Sequence, residues 1–241
     1  MKHRMSSHDA ALRFPANGGS AAASSAAGRT LESLRARIIA LDLPPDTVLS
    51  RTELAREYDI SQTPLRDALL KLEAEGLVQI FPQSRTLVTR IDTASIREAV
   101  FLRRSIEMEV VRELAERIEE PTLSRLRGIL AMQGALRREK GQIGAFQELD
   151  ESFHLTMIAA VGFHGLHELI RARSGHLNRL RRLDMWDEAK ISGILQDHED
   201  IIDALEARDP GAAVAATRRH LSQTIARINL LRDRHPEYFR G

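Results

Sequence analysis

Residues 50–88 read SRTELAREYDISQTPLRDALLKLEAEGLVQIFPQSRTLV, and this stretch decides the fold. Leu54, Ala55 and Tyr58 put one apolar stripe on a short helix whose start Ser50 can cap. Ser61 can cap a second helix, and Pro64 falls in its first turn, where a missing N–H costs nothing. Leu65, Ala68, Leu69 and Leu72 recur at helical spacing, and Gly76 ends the run. Two strands are expected next, Leu77 to Phe81 and Thr86 to Ile91, across the polar turn Pro82-Gln83-Ser84-Arg85. Two helices joined by a tight turn and followed by a basic-tipped hairpin make a winged helix-turn-helix.

Upstream, Leu31, Leu34, Ile38 and Ile39 predict a helix from about Thr30 to Leu41, with a Leu43-Pro44-Pro45-Asp46 turn and a brief strand at Val48-Leu49. The winged unit thus occupies 29–90. Residues 1–28 are rich in Ala, Ser and Gly, without a periodic apolar face, and are expected to be a disordered tail. Lys2, Arg4 and Arg13 in that tail read as solvated charges. From residue 93 to 234 the periodicity is helical throughout, with helices expected at about 93–119, 122–139, 143–161, 165–184, 187–208 and 211–233. The fold class is therefore mainly α, with an antiparallel all-helical bundle of six to seven helices behind the winged head.

The chain has 241 residues, a formal net charge of +1 and no cysteine. Acidic and basic side chains balance within 29–90, so any charge that meets nucleic acid must be local. Without cysteine, disulfides and thiolate metal sites are excluded, which fits a reducing cytoplasm. No apolar run approaches the roughly 20 residues of a membrane span, and no hydrophobic segment follows Lys2 and Arg4 to make a secretory signal.

Within the bundle, Asp150 and His154 are four apart and share the apolar stripe of Phe146, Leu149, Phe153, Met157 and Ile158. A buried carboxylate and imidazole need partners. His198 lies in another apolar stripe and precedes the Asp209-Pro210-Gly211 reversal by as many residues as His220 follows it. At ~1.5 Å per residue both sit ~16 Å from the turn, level on adjacent antiparallel helices. Asp150, His154, His198 and His220 together suit a divalent metal, with zinc first and nickel, manganese or iron as alternatives. The plainer alternative is four ordinary core residues. Arg103 and Glu107 also interrupt an apolar stripe, and they either form a private i,i+4 pair or serve a site. The run Arg171, Arg173, Arg179, Arg181 and Arg182 reads as a partly solvated face, with one of these arginines reaching the ligand as the alternative.

Residues 43–88 resemble the DNA-binding domain of GntR-family transcription regulators, with its Leu-Pro-Pro turn, Thr-Pro-x-Arg helix and Leu-Glu-x-Glu-Gly-Leu exit. The resemblance carries DNA contact to Thr63 and Arg66. Gln62 stands where the family has arginine, and Arg85 where it has a wing glycine. Lys71 shares the polar face of that helix, and Arg51 and Arg56 on the preceding helix are placed to meet phosphates. More loosely, residues 95–232 are similar to the FCD ligand domain of the family's FadR subfamily, in which small carboxylic acids bind beside a metal. The resemblance implies the metal role of the Asp/His set and places Arg103, in an Arg-x-x-Ile-Glu run, toward a carboxylate effector. The expectation is a homodimeric, cytoplasmic repressor on a palindromic operator in double-stranded DNA. The rivals are a metal-dependent hydrolase-like enzyme and an architectural DNA-binding protein without a ligand.

Overall fold

A computed structural model describes residues 25–184 and 188–240. The first helix, α1 (Ala26–Ile39), starts four residues earlier than expected because the Ser25 side chain accepts from the Gly28 N–H at 3.0 Å. Residues 26–28 are therefore helical, while the rest of the expected tail up to residue 24, with Lys2, Arg4 and Arg13, lies outside the described residues. Leu31, Leu34 and Ile38 are buried; Ile39 is half-buried. After β1 (Val48–Leu49), Ser50 caps α2 (Arg51–Glu57) through the Glu53 N–H. Ser61 sits at the start of α3 (Gln62–Ala74) with extended backbone, but its side chain makes no capping bond. Leu65, Ala68, Leu69 and Leu72 bury one face of α3 against α1, and cutting one of these leucines to Ala costs about 2–5 kcal/mol. Gly76, at φ 74°, turns the chain into β2 (Val78–Ile80). The strands are shorter than expected: β2 and β3 (Thr86–Val88) pair antiparallel, and β1 joins β3 to give the order β1-β3-β2.

Asp92 caps α4 (Thr93–Arg117), which opens the helical domain. It is followed by α5 (Glu120–Ala135), a 3-10 turn at Lys140–Gln142, and α6 (Ile143–Ala160). Then come α7 (His164–Arg173), α8 (Gly175–Leu183), α9 (Glu188–Glu206), α10 (Pro210–Ala226) and α11 (Ile228–Arg234). The bundle thus has eight helical segments among the described residues, because two expected helices are each broken. The 165–184 helix breaks at Ser174, whose hydroxyl turns back to the Ile170 carbonyl at 2.7 Å. The break seats α8 on the winged head, where Gly175 approaches Leu77 so closely that a Cβ would lie 2.7 Å from a Leu77 methyl. The 211–233 helix breaks at Arg227.

Val110, Leu114, Leu126, Phe153, Met157, Ile201 and Leu205 form the bundle core. A separate apolar cluster joins Ile91, Ile96 and Val100 to α8, α11 and Phe239. There the chain's end pairs with the interdomain linker, Ile91 N–H donating to the Tyr238 carbonyl at 2.8 Å and Arg240 N–H to the Ile91 carbonyl at 2.9 Å. No helix among the described residues is long and apolar enough to cross a membrane.

Candidate functional site

α6 delivers Asp150 and His154, α9 delivers His198 and α10 delivers His220, all buried. One ligand atom from each lies within 4.8 Å of the others. The reversal at Asp209 does bring the two late histidines level, their ring centroids 4.7 Å apart. His154 Nε2 lies 3.1 Å from His220 Nε2, and His198 Nε2 lies 3.4 Å from Asp150 Oδ1.

The outer ring nitrogens face oxygen atoms of neighbouring helices. His154 Nδ1 lies 2.6 Å from Glu107 Oε2, His198 Nδ1 is 2.9 Å from Gln133 Oε1, and His220 Nδ1 is 3.6 Å from Asp197 Oδ2. The His198 Nδ1 bond to the Gln133 carbonyl oxygen leaves its Nε2 with a free lone pair, and the Glu107 carboxylate behind His154 favours the same tautomer there, whereas His220 Nδ1 is beyond hydrogen-bond reach of Asp197. His154 Nε2 and His220 Nε2 face each other at hydrogen-bond distance, while His198 Nε2 is buried without a hydrogen-bond partner. A carboxylate and three imidazole nitrogens converging in the dry interior are a donor set that a cation among them would satisfy. The donor set therefore fits a divalent metal, held as histidine ligands usually are, by oxygen acceptors behind the ring.

The electrostatics agree. Burial pushes His198 down to about 3 and lowers His154, so both rings are neutral at pH 7. Burial raises the Asp150 carboxyl, but the Arg181 charge and the His198 contact outweigh it and hold it well below the usual carboxylate range. Phe153 stacks on His198 with centroids 4.0 Å apart and fixes its ring plane.

Two cavities flank this centre. The first, of about 280 Å³, reaches Asp150 and His220, with Arg181, Lys190, Gln223 and Arg227 as its polar wall and Ile191 and Ile194 as its apolar one. Of the four residues only Asp150 and His220 reach it; His154 borders the second cavity. The second, of about 420 Å³, touches Glu107, His154 and Arg103 and is closed by α1. Arg103 borders this second cavity, not the first, and donates from Nε to Glu107 Oε1 at 2.7 Å. The guanidinium that borders both is Arg181, 3.1 Å from Asp150 Oδ2. The arginine run is partly solvated, with Arg173 exposed and Arg171, Arg181 and Arg182 half-buried, but Arg179 is fully buried, Arg171 pairs with Glu32, and Arg181 with Asp150.

Sequence reasoning missed Gln133 and Asp197 as parts of the site, and allowed for an arginine of the run without singling out Arg181. A glutamine at helical spacing from Leu126 and Ile129 was the available signal for Gln133, and Asp197 stood beside His198 in the chain. Arg181 gave no signal beyond the run that contains it.

On the winged head, Arg51, Arg56, Gln62, Thr63, Arg66, Lys71 and Arg85 are all exposed. Among the described residues none of the five cations here forms an ion pair, whereas Arg35, Arg37 and Arg90 of the same head all do. Arg85 lies over the Phe81 ring at 5.3 Å, at the tip of the wing.

Comparison with known proteins decides the family. Residues 26–88 match the model of the bacterial regulatory proteins of the gntR family, and residues 98–223 match that of the FCD domain. The chain belongs to the GntR family, in its FCD-bearing branch. This GntR regulator is 34% identical over 86% of its length, and 86% of the relative's, to an uncharacterised HTH-type transcriptional regulator in an unstable DNA locus of Streptomyces ambofaciens. It is 30% identical to the HTH-type transcriptional repressor RspR of Escherichia coli K12, over 86% of this chain and 90% of the relative. Among solved structures, Escherichia coli McbR/YncC superposes with a TM-score of 0.74 at 18% identity, covering 88% of this chain and 99% of that one, and so shares the fold. The chain is thus a DNA-binding transcription regulator. These matches decide against the enzyme reading.

Proposed function

We propose that this regulator is a repressor whose operator affinity is set by a small carboxylate bound in the 280 Å³ cavity beside a divalent metal. The observation that carries it is the convergence of Asp150, His154, His198 and His220 on one point, with Asp150 and His220 reaching the wall of a cavity that also holds the Arg181 guanidinium. A nitrogen-rich set with one carboxylate suits zinc first, with nickel, manganese and iron behind it. When bound, the metal supplies a Lewis acid for one carboxylate oxygen. Arg181 offers a planar fork to the other, at the cost of loosening its hold on Asp150. Arg103 serves this site through Glu107 and not by touching the effector.

Residues 29–90 act as the reading head and 93–234 as the effector and pairing domain. Gln62, Thr63 and Arg66 enter the major groove at the exposed start of α3, Lys71 follows on the same face, and Arg51, Arg56 and Arg85 meet phosphates. One head reads few base pairs, so two chains pair on a palindromic operator in the cytoplasm. RspR is by its name a repressor, and this supports the sign of the response.

The test is elemental analysis of protein purified without chelator or polyhistidine tag, followed by calorimetry with acetate, succinate and citrate. About one metal per chain, with carboxylate binding that is lost in Arg181→Ala and in Asp150→Ala/His198→Ala, is expected. Stoichiometric metal without any carboxylate binding would remove the effector half. No metal would leave an architectural DNA-binding protein.

A further inference from the structure

The 420 Å³ cavity lies where the two domains meet. Glu32, Arg35 and Ile39 of α1 form one wall, and α4, α6, α7 and α8 form the others. Most of its charged groups are committed. Arg103 bonds Glu107, Arg35 bonds Glu32 and Glu75, Arg171 bonds Glu32, and Arg181 bonds Asp150. Arg182 stands apart: its Nη1 borders the cavity, is buried, and has no hydrogen-bond partner among the described residues. His167 Nε2, in the same lining, is also buried without one and lies 3.7 Å from Glu151 Oε1. A guanidinium nitrogen stripped of water and given no acceptor is unfavourable. An anion in the cavity supplies that acceptor.

The wall is also the joint between the domains. Arg171 on α7 holds Glu32 on α1, and Arg35, one helical turn on, holds Glu75 at the end of the recognition helix α3. An anion that reaches Arg171 competes with Glu32 for it, and so bears directly on how the reading head is seated.

We propose that this crevice is a second ligand site, separate from the cavity beside the metal centre, which takes a small phosphate- or carboxylate-bearing metabolite with its anionic group between Arg182 and Arg171. Gln147 and Asn178 supply neutral polar partners for the rest of the molecule. The site does not rest on the metal reading, because neither arginine touches the Asp/His set.

The test uses the full chain stripped of metal and dialysed free of chelator, titrated calorimetrically with inorganic phosphate and separately with succinate. Binding of either probe that falls at least tenfold in Arg182→Ala and is unchanged in Lys190→Ala, which faces the other cavity, supports the site. Which probe binds identifies the anion. Glu32→Gln, which frees Arg171, is expected to tighten binding several-fold, a gain that a damaged fold does not produce. Arg182→Lys checks that loss in the alanine variant is not misfolding, since it keeps the charge and is expected to bind at intermediate strength. Absence of binding by both probes, equal binding in Arg182→Ala, or unchanged or weaker binding in Glu32→Gln overturns the proposal. Loss of the metal centre's own carboxylate response leaves these results untouched.

Discussion

Glu107 stands between Arg103 and His154, one carboxylate oxygen 2.7 Å from the Arg103 Nε and the other 2.6 Å from the His154 Nδ1. The pair read as either private or functional is an i,i+4 ion pair whose carboxylate also faces His154. Arg103 holds Glu107 ionised, below its usual range, against the penalty of burial, and Glu107 in turn orients the imidazole. Glu107→Gln keeps the shape but removes the charge behind the ligand, and it is expected to weaken metal affinity about 10–100-fold. Competition against a chelating dye measures it, and an unchanged affinity would detach Glu107 from the centre.

Arg103→Ala has a different signature. It strands the Glu107 carboxylate in the interior, and breaking a buried pair from one side costs about 3–5 kcal/mol. Urea unfolding of the metal-free protein reads this loss. The Glu107→Gln/Arg103→Ala double variant is expected to recover part of it, since no buried charge then lacks a partner. A double variant less stable than Arg103→Ala alone would contradict that account.

Metal binding to the folded chain alone couples to stability by mass action, about 4 kcal/mol at a thousandfold excess over the dissociation constant. Chelation is therefore expected to lower the melting temperature of the natural chain. In Asp150→Ala/His198→Ala the same chelator should have no effect. A chelator shift of equal size in both proteins would place the metal elsewhere.

The exposed face of α3 gives a paired prediction. Arg66→Ala is expected to cost about 1–3 kcal/mol of operator affinity and to relax specificity at one base pair. Arg56→Ala should weaken binding evenly across sequences and flatten its salt dependence. Fluorescence anisotropy on operator and scrambled duplexes at several salt concentrations separates the two. Interchanged signatures would move the reading residues from α3 to α2.

The parts that were legible in the sequence are those written in local periodicity. Leu65, Leu69 and Leu72 define α3 without help from elsewhere, and His198 and His220 are level because a single turn separates them. What could not be read depends on contacts between distant segments. The break at Ser174 exists because Gly175 must meet Leu77, and nothing within 165–184 encodes that meeting. Arg179 looked solvated because its acceptors, the Thr89 carbonyl and hydroxyl, lie far back in the chain. Ser61 stands at the right place for a cap but lacks the bond, a matter of side-chain geometry that spacing does not determine.

The same junction predicts an acid response. His176 Nδ1 accepts from the Asp92 N–H at 3.0 Å and lies 2.9 Å from the Arg179 Nη2. Burial, aided by the Arg179 charge, pushes the imidazole down to about 4 from an ordinary 6.5. Between those values the unfolded chain takes a proton that the folded chain refuses. The folded state is therefore fully favoured above pH 6.5 and loses stability as pH falls toward 4, by up to about 3 kcal/mol. His176→Gln can still accept from Asp92 but does not titrate. Its stability, measured by urea unfolding from pH 7.5 to 4.5, is expected to fall less steeply than that of the natural chain, with the two curves converging or crossing toward the acid end. Parallel curves would mean that His176 is charged in the fold, and that Arg179 does not hold it neutral at the joint between head and bundle.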